Sequence, residues 1–405
     1  MFDKQEGYRR SIIKHLYFKE ELSCADLSAL TQKSPPLVTK VLNELIADGA
    51  AVEKGYALST GGRRPQMYSL KPDLMYVVSV AMDQLVTRIA MLDMHNTLIG
   101  EVLRIDLPLT ENGEALAQLT RHISYFIDKS GVDKARIVGV GIGMPGFVDV
   151  TKGVNHSFLK TEQGSIISHI ESVLGLPVLI DNDSHLGALA EQKFGAANSK
   201  ENVMVLVIGW GVGLGMILKG ELFRGENGFA GEFSHIPLFT NNKICSCGKF
   251  GCLETEASLL VVVEKALQGM KEGKATALKI DSQDSVEDAS NIIMDMALKG
   301  DRFAVELFYE IAYNIGRGIS ILIHLLNPKL IVLSGRGSQA GRLWLAPIQQ
   351  AINEYCIPKI AENIEVIVSS LGYQAEIVGG AALVMENYDQ GRKKVSRSKL
   401  MSSVG

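Results

Sequence analysis

Three of the chain's five cysteines fall inside eight residues, and a histidine stands ten residues before the first of them. The run is Gly231-Glu232-Phe233-Ser234-His235, then nine residues, then Cys245-Ser246-Cys247-Gly248-Lys249-Phe250-Gly251-Cys252-Leu253-Glu254. Three thiolates and one imidazole suit a closed tetrahedral zinc site. His235, Cys245, Cys247 and Cys252 are therefore the expected ligands of a structural zinc ion. Gly248 and Gly251 let the backbone turn sharply enough for the sulfurs to converge. Spacing this tight rarely serves packing alone. A disulfide is the other reading, but five is an odd count, and residues 1–6 do not read as a secretory segment.

Two carboxylates flank the run, Glu232 just before the histidine and Glu254 just after the last cysteine. A metal pinning both ends would hold them on one rigid pair of loops. Carboxylates and an imidazole nitrogen facing a cavity suit sugar hydroxyls, which both donate and accept hydrogen bonds. The whole pattern, G-E-x-x-H followed by C-x-C-G-x-x-G-C-x-E, resembles the signature of the ROK family of repressors, open reading frames and sugar kinases.

The 405 residues suggest two or three domains, and a hydrophobic share of 46% is ordinary for a globular chain. The net charge of −4 excludes a wholly basic nucleic-acid coat. Residues 1–71 carry eleven Lys and Arg against eight Asp and Glu, a net of +3, which leaves −7 for the remainder. A mildly basic front on an acidic body suits a small DNA-binding head. The sequence holds no apolar run near the ~18 residues that a membrane helix needs, and a cytoplasmic protein is expected.

In that head, residues 8–18 read as a helix with Ile12, Ile13, Leu16 and Tyr17 on one face. Ser23 to Asp26 reads as an N-terminal cap. Ser34 and Pro35 open a further helix, with Leu37 or Val38, Val41, Leu42, Leu45 and Ile46 at helical spacing and Gly49 at its end. Residues 52–58 and 66–70 read as strands around Ser59-Thr60-Gly61-Gly62-Arg63-Arg64-Pro65. This reads as a winged helix-turn-helix over residues 1–71. The S-T-G-G-R-R-P tip resembles the wing of ROK repressors. Pro36, Thr39, Lys40 and Asn43 on the helix, with Gly62, Arg63 and Arg64 on the wing, are the expected contacts to double-stranded operator DNA.

From residue 72 the chain alternates strand, loop and helix, an α/β body. Strands are expected at 76–81, 88–92, 98–105, 137–143, 203–208 and 330–333, and helices at 116–130, 184–194 and 313–326. The resemblance implies an actin-like (ribonuclease H-like) sugar-kinase fold, divided here as a first lobe at 72–183 and a second at 184–390. A basic tail, 391–405, is expected to be disordered. In the kinases, the aspartate matching Asp183 is the general base on a sugar hydroxyl. Pro145, Gly146, Asn182, Glu232, His235 and Glu254 complete the implied sugar site. Taken singly, Asp183 and Asn182 read equally as helix-cap and turn residues.

The nucleotide side departs from the kinase pattern. Where kinases of the family carry D-x-G-x-T, the sequence gives Ala81-Met82-Asp83-Gln84-Leu85, with a carboxylate where backbone should approach phosphate. Trp210 replaces the threonine of a G-T-G loop, and Arg336 the middle residue of G-G-G. A non-enzymatic regulator is expected: a repressor of carbohydrate genes, a homodimer or higher homo-oligomer, answering to a sugar or sugar phosphate. The alternative is an ATP-dependent hexose kinase with an added head, which an intact Asp183 supports.

Overall fold

The computed structural model describes residues 4–57, 64–161 and 164–390. In the head, helices Lys4–Lys19, Cys24–Thr31 and Pro35–Ala47 pack on an antiparallel sheet of Leu22–Ser23, Gln66–Leu70 and Ala51–Tyr56. Ser23 accepts from the Asp26 N–H while the Asp26 side chain accepts from Ser23, so the expected cap is a full capping box. Pro35 opens the third helix, but Ser34 makes no side-chain cap there. This is a winged helix-turn-helix. The expected tip residues Gly62 and Arg63 lie outside the described residues.

The body holds two five-stranded sheets of one topology. In the first, Val178–Asn182, Ile137–Met144 and Tyr76–Met82 are parallel, and Val86–Leu92 and Leu103–Asp106 follow antiparallel. In the second, Glu365–Val368, Leu330–Ser334 and Val203–Ile208 are parallel, and Val212–Leu218 and Glu221–Phe223 follow antiparallel. Near-continuous apolar runs such as Val203–Ile208, buried along their length, suit parallel strands covered on both faces. The repetition gives the actin-like pair of lobes, with the cleft between them.

Two expectations shift. The strand read at 98–105 is Leu103–Asp106, with only a single bridge from Leu98 to Leu92, because Gly100 at φ +73° turns the chain between them. The helix read at 313–326 starts at Arg302, where the Asp301 side chain accepts from the Ala304 N–H.

Two helices run from the cleft to the head. Asp183–Phe194 and Ala375–Glu386 lie tightly together, since a Cβ on Gly379 would stand 2.1 Å from the Leu186 carbonyl oxygen. Ala375–Glu386 also covers the first sheet, where the Ser79 hydroxyl donates to the Ile377 carbonyl at 2.6 Å. At the far end, Phe194 meets the rings of Tyr17 and Phe18 on the first head helix, each with centroids 5.8 Å away. Lys193 pairs with Glu386 at 3.0 Å, and Lys14 of the head with Asp389 at 3.0 Å. Ile12, Leu16 and Tyr17 of the head share one continuous core with Ala81, Leu92, Ile377 and Met385 of the body.

Candidate sugar and metal site

All seven residues of the expected sugar site line one cleft cavity of about 520 Å³: Pro145, Gly146, Asn182, Asp183, Glu232, His235 and Glu254. Strand ends supply the first four. Gly146 takes φ +87°, and a Cβ there would come within 2.5 Å of the Ser157 side chain, so only glycine lets this loop pack. Asn182 is largely committed to structure: its Oδ1 accepts from the Ser184 N–H at 2.9 Å and its Nδ2 donates to the Gly146 carbonyl at 3.1 Å. It caps the helix that begins with Asp183 and ties the two loops together.

Beneath Asp183 is a pairing that sequence reading missed. Asp181, 1% exposed, accepts from Arg224 Nε at 2.9 Å and lies 2.8 Å from His185 Nδ1. Burial opposes ionisation of Asp181, but His185 and Arg224 hold its carboxyl below the usual range. This anchors the loop leading to Gly231 and Glu232 onto the strand that ends at Asn182. The i, i+4 step from Asp181 to His185 was visible in the sequence, but the partner Arg224, 43 residues on, was not.

His235 stands between the two halves of the site. Its Nδ1 is 3.3 Å from Cys245 Sγ, and its Nε2 is 3.6 Å from a Glu232 oxygen. The donor atoms of His235, Cys245, Cys247 and Cys252 all lie within 4.8 Å of one another, and Cys247 and Cys252 Sγ are 3.6 Å apart. Sulfurs about 2.3 Å from a tetrahedral ion stand ~3.8 Å apart, so the spacing fits. So does the chemistry, because burial and the neighbouring thiols push Cys252 up to about 12. A dication among the sulfurs reverses that penalty. Gly251, at φ +74°, brings its backbone against the Phe239 carbonyl, where a Cβ would stand 2.0 Å away. The adjacent Glu254 accepts from Ser234 Oγ at 3.3 Å and Ser246 Oγ at 3.2 Å, so the metal loop aims it into the cleft.

On the nucleotide side, Asp83 sits in the hairpin after strand Tyr76–Met82. Its Oδ1 accepts from the Leu85 and Val86 N–H groups at 2.8 and 2.7 Å, which takes the backbone donors a phosphate would need. Its Oδ2 lies 3.4 Å from Arg336. Arg336, 4% exposed, also bonds Glu287 and the Tyr373 hydroxyl and lies over the rings of Trp210 and Tyr373, at 4.7 and 4.3 Å. Arg88 pairs with Glu376 at 3.0 Å, and Arg104 with Glu287 at 2.6 Å. Three positions that depart from the kinase pattern, Asp83, Trp210 and Arg336, thus form one cluster across the cleft. Sequence reading named them singly and missed Glu287, Tyr373 and Glu376.

The ROK family profile matches residues 90–387. The chain belongs to the ROK family. Among its ROK relatives, a xylose repressor of Caldicellulosiruptor bescii is 30% identical over 387 residues, 93% of this chain and 94% of that protein. A glucokinase of Halalkalibacterium halodurans is 33% identical over 298 residues, 72% of this chain and 90% of that protein. The crystal structure of a ROK family transcriptional regulator, a homolog of the E. coli MLC protein, superposes with a TM-score of 0.75. It is 27% identical, and the match covers 95% of this chain and 97% of that one. The match to the repressor includes the head, whereas the kinase match leaves more than a quarter of the chain uncovered.

Burial, with Glu376 and Asp83 adding to it, pushes the Asp183 carboxyl up to about 8. An unfolded aspartate ionises near about 4. The folded state therefore loses stability at this position as pH rises between those two values. Asp183→Asn removes that loss. Its melting temperature should exceed that of the unaltered protein by a few °C at about pH 8 and by less at about pH 5. The same difference at both pH values, read by calorimetry, would contradict the assignment.

Proposed function

We propose that this chain is a sugar-responsive, DNA-binding transcriptional regulator, a repressor of carbohydrate uptake or catabolism genes. One observation carries the reading: the helices that begin in the cleft end against the DNA-binding head. Sugar hydroxyls meet Asp183, Glu232, Glu254 and the Nε2 edge of His235, while the Pro145–Gly146 loop and Asn182 shape the floor. Structural zinc on His235, Cys245, Cys247 and Cys252 supplies no reaction. It fixes which imidazole nitrogen faces the cleft and holds Glu232 and Glu254 in register. Phosphoryl transfer is not part of the proposal, because Arg336 and Asp83 occupy the phosphate side.

Operator DNA meets the exposed face of helix Pro35–Ala47. Pro36, Thr39, Lys40 and Asn43 are exposed there, opposite buried Val38, Val41, Leu42 and Leu45. Thr39 Oγ1 lies 3.3 Å from Cys24 Sγ, and Lys40 is 63% exposed and 3.8 Å from Glu44. Arg64 is exposed beside the wing tip. A symmetric dimer would present two heads to a near-palindromic site. Among the described residues, no helix is long and apolar enough to cross a membrane.

The test is a fluorescence-anisotropy titration on DNA from the gene's own upstream region, at fixed salt, with and without glucose, xylose and N-acetylglucosamine. Specific binding that one sugar changes is expected, and binding indistinguishable from random DNA would sink the proposal. In the same assay Arg63→Ala and Arg64→Ala should each weaken specific binding by about 1–3 kcal/mol if they reach base edges. Unchanged affinity in both would show an idle wing.

A further inference from the structure

Carboxylates outnumber cations among the described residues that line the cleft. Five carboxylates line it: Asp83, Asp183, Glu232, Glu254 and Glu376. Against them, among the described lining residues, stand Arg336 and His235, and Arg88 behind the lining pairs with Glu376 at 3.0 Å. His235 turns Nδ1 to the cysteines at 3.3 Å and Nε2 to Glu232 at 3.6 Å. Arg336 is already engaged on every side. It bonds Glu287 and Tyr373, lies 3.4 Å from Asp83, and has the Trp210 and Tyr373 rings over its faces. A phosphate could reach it only by displacing one of these partners. The backbone donors at Leu85 and Val86 are held by Asp83 itself. The carboxyls also disfavour one another's ionisation: burial raises Glu376 and Asp183, and Asp83 adds to both. A cavity that resists its own negative charge resists a phosphate dianion more.

We propose that the effector is an uncharged sugar held through its hydroxyl groups, and that this carboxyl-lined cleft, with Arg336 and the Leu85 and Val86 N–H groups already taken, excludes phosphorylated sugars. The proposal rests on reading the cleft as a sugar site. It goes further than that reading by separating two classes of ligand that share one carbon skeleton.

Isothermal titration of the full chain in magnesium-free buffer tests it. Glucose, glucose 6-phosphate, N-acetylglucosamine, N-acetylglucosamine 6-phosphate and xylose are the probes. A phosphorylated sugar should bind at least about ten-fold more weakly than its parent. Asp83→Asn removes one negative charge and loosens the hold on Arg336, so it should narrow that gap. Melting temperature checks that the variant is folded. Equal or tighter binding of either phosphate overturns the proposal. A gap unchanged in a folded Asp83→Asn protein overturns its electrostatic basis. Silence from all five probes counts instead against the sugar reading itself, and the proposal falls with it.

Discussion

Phe194→Ala is expected to leave operator affinity and sugar affinity each within about three-fold of the unaltered protein, yet to remove most of the sugar's effect on DNA binding. Phe194 ends the helix that begins with Asp183 in the cleft. Twelve residues of helix span about 18 Å, and the ring then packs on Tyr17 and Phe18 of the head. Its removal touches neither the cleft lining nor the DNA-facing surface. What it removes is the differential contact by which two states of the body act on the head. Coupling of this kind typically amounts to about 1–3 kcal/mol, or roughly 5- to 150-fold in affinity. Anisotropy titrations with and without saturating sugar read it directly. A full sugar response in Phe194→Ala would show that coupling runs elsewhere, with the parallel helix Ala375–Glu386 and its Lys193–Glu386 pair next in line.

Cys247→Ala should bring bound zinc from about one ion per chain to almost none, because three ligands do not close a structural tetrahedral site. The sugar response should fall with it. Glu254 follows the last cysteine by two residues and Glu232 precedes the histidine by three, so a slack loop misplaces both. Cys247 is exposed while Cys245 and Cys252 are buried, which confines the damage to the loop tip. Among the described residues, the head shares no core with that loop, and it should keep its operator affinity. Elemental analysis of the purified protein and the anisotropy assay check both halves. A native protein without zinc would remove the metal claim, and a metal-free variant with full sugar response would separate the ion from the site's function.

Local signals carried most of the reading. The candidate metal ligands lie within one short stretch, and the capping box at Ser23 and the helical spacing from Val38 to Leu45 need only near neighbours. The seven residues expected at a sugar site each close a strand or abut the cysteine loop, and all seven line one cavity. What stayed hidden is long-range. Arg88 meets Glu376 across 288 positions, and Arg104 meets Glu287 across 183. Neither charge has a local pattern to announce it. Asn182 combines two of its readings: one donor and one acceptor of its side chain go to the neighbouring loop and the helix cap, which leaves one N–H and one lone pair. The strand expected from residue 98 failed at Gly100, since apolar neighbours alone do not reveal a left-handed turn.

The Arg336 cluster changes what occupancy of the cleft means. A kinase consumes what it binds, so its loading depends on turnover and on the supply of a second substrate. On the regulator reading proposed above, a cleft whose phosphate side is filled by its own side chains would return each sugar unaltered. Its loading would then follow the free concentration of that sugar, with DNA occupancy shifting it through the same coupling. The head, tied to the same helices, reads a reservoir level rather than a flux.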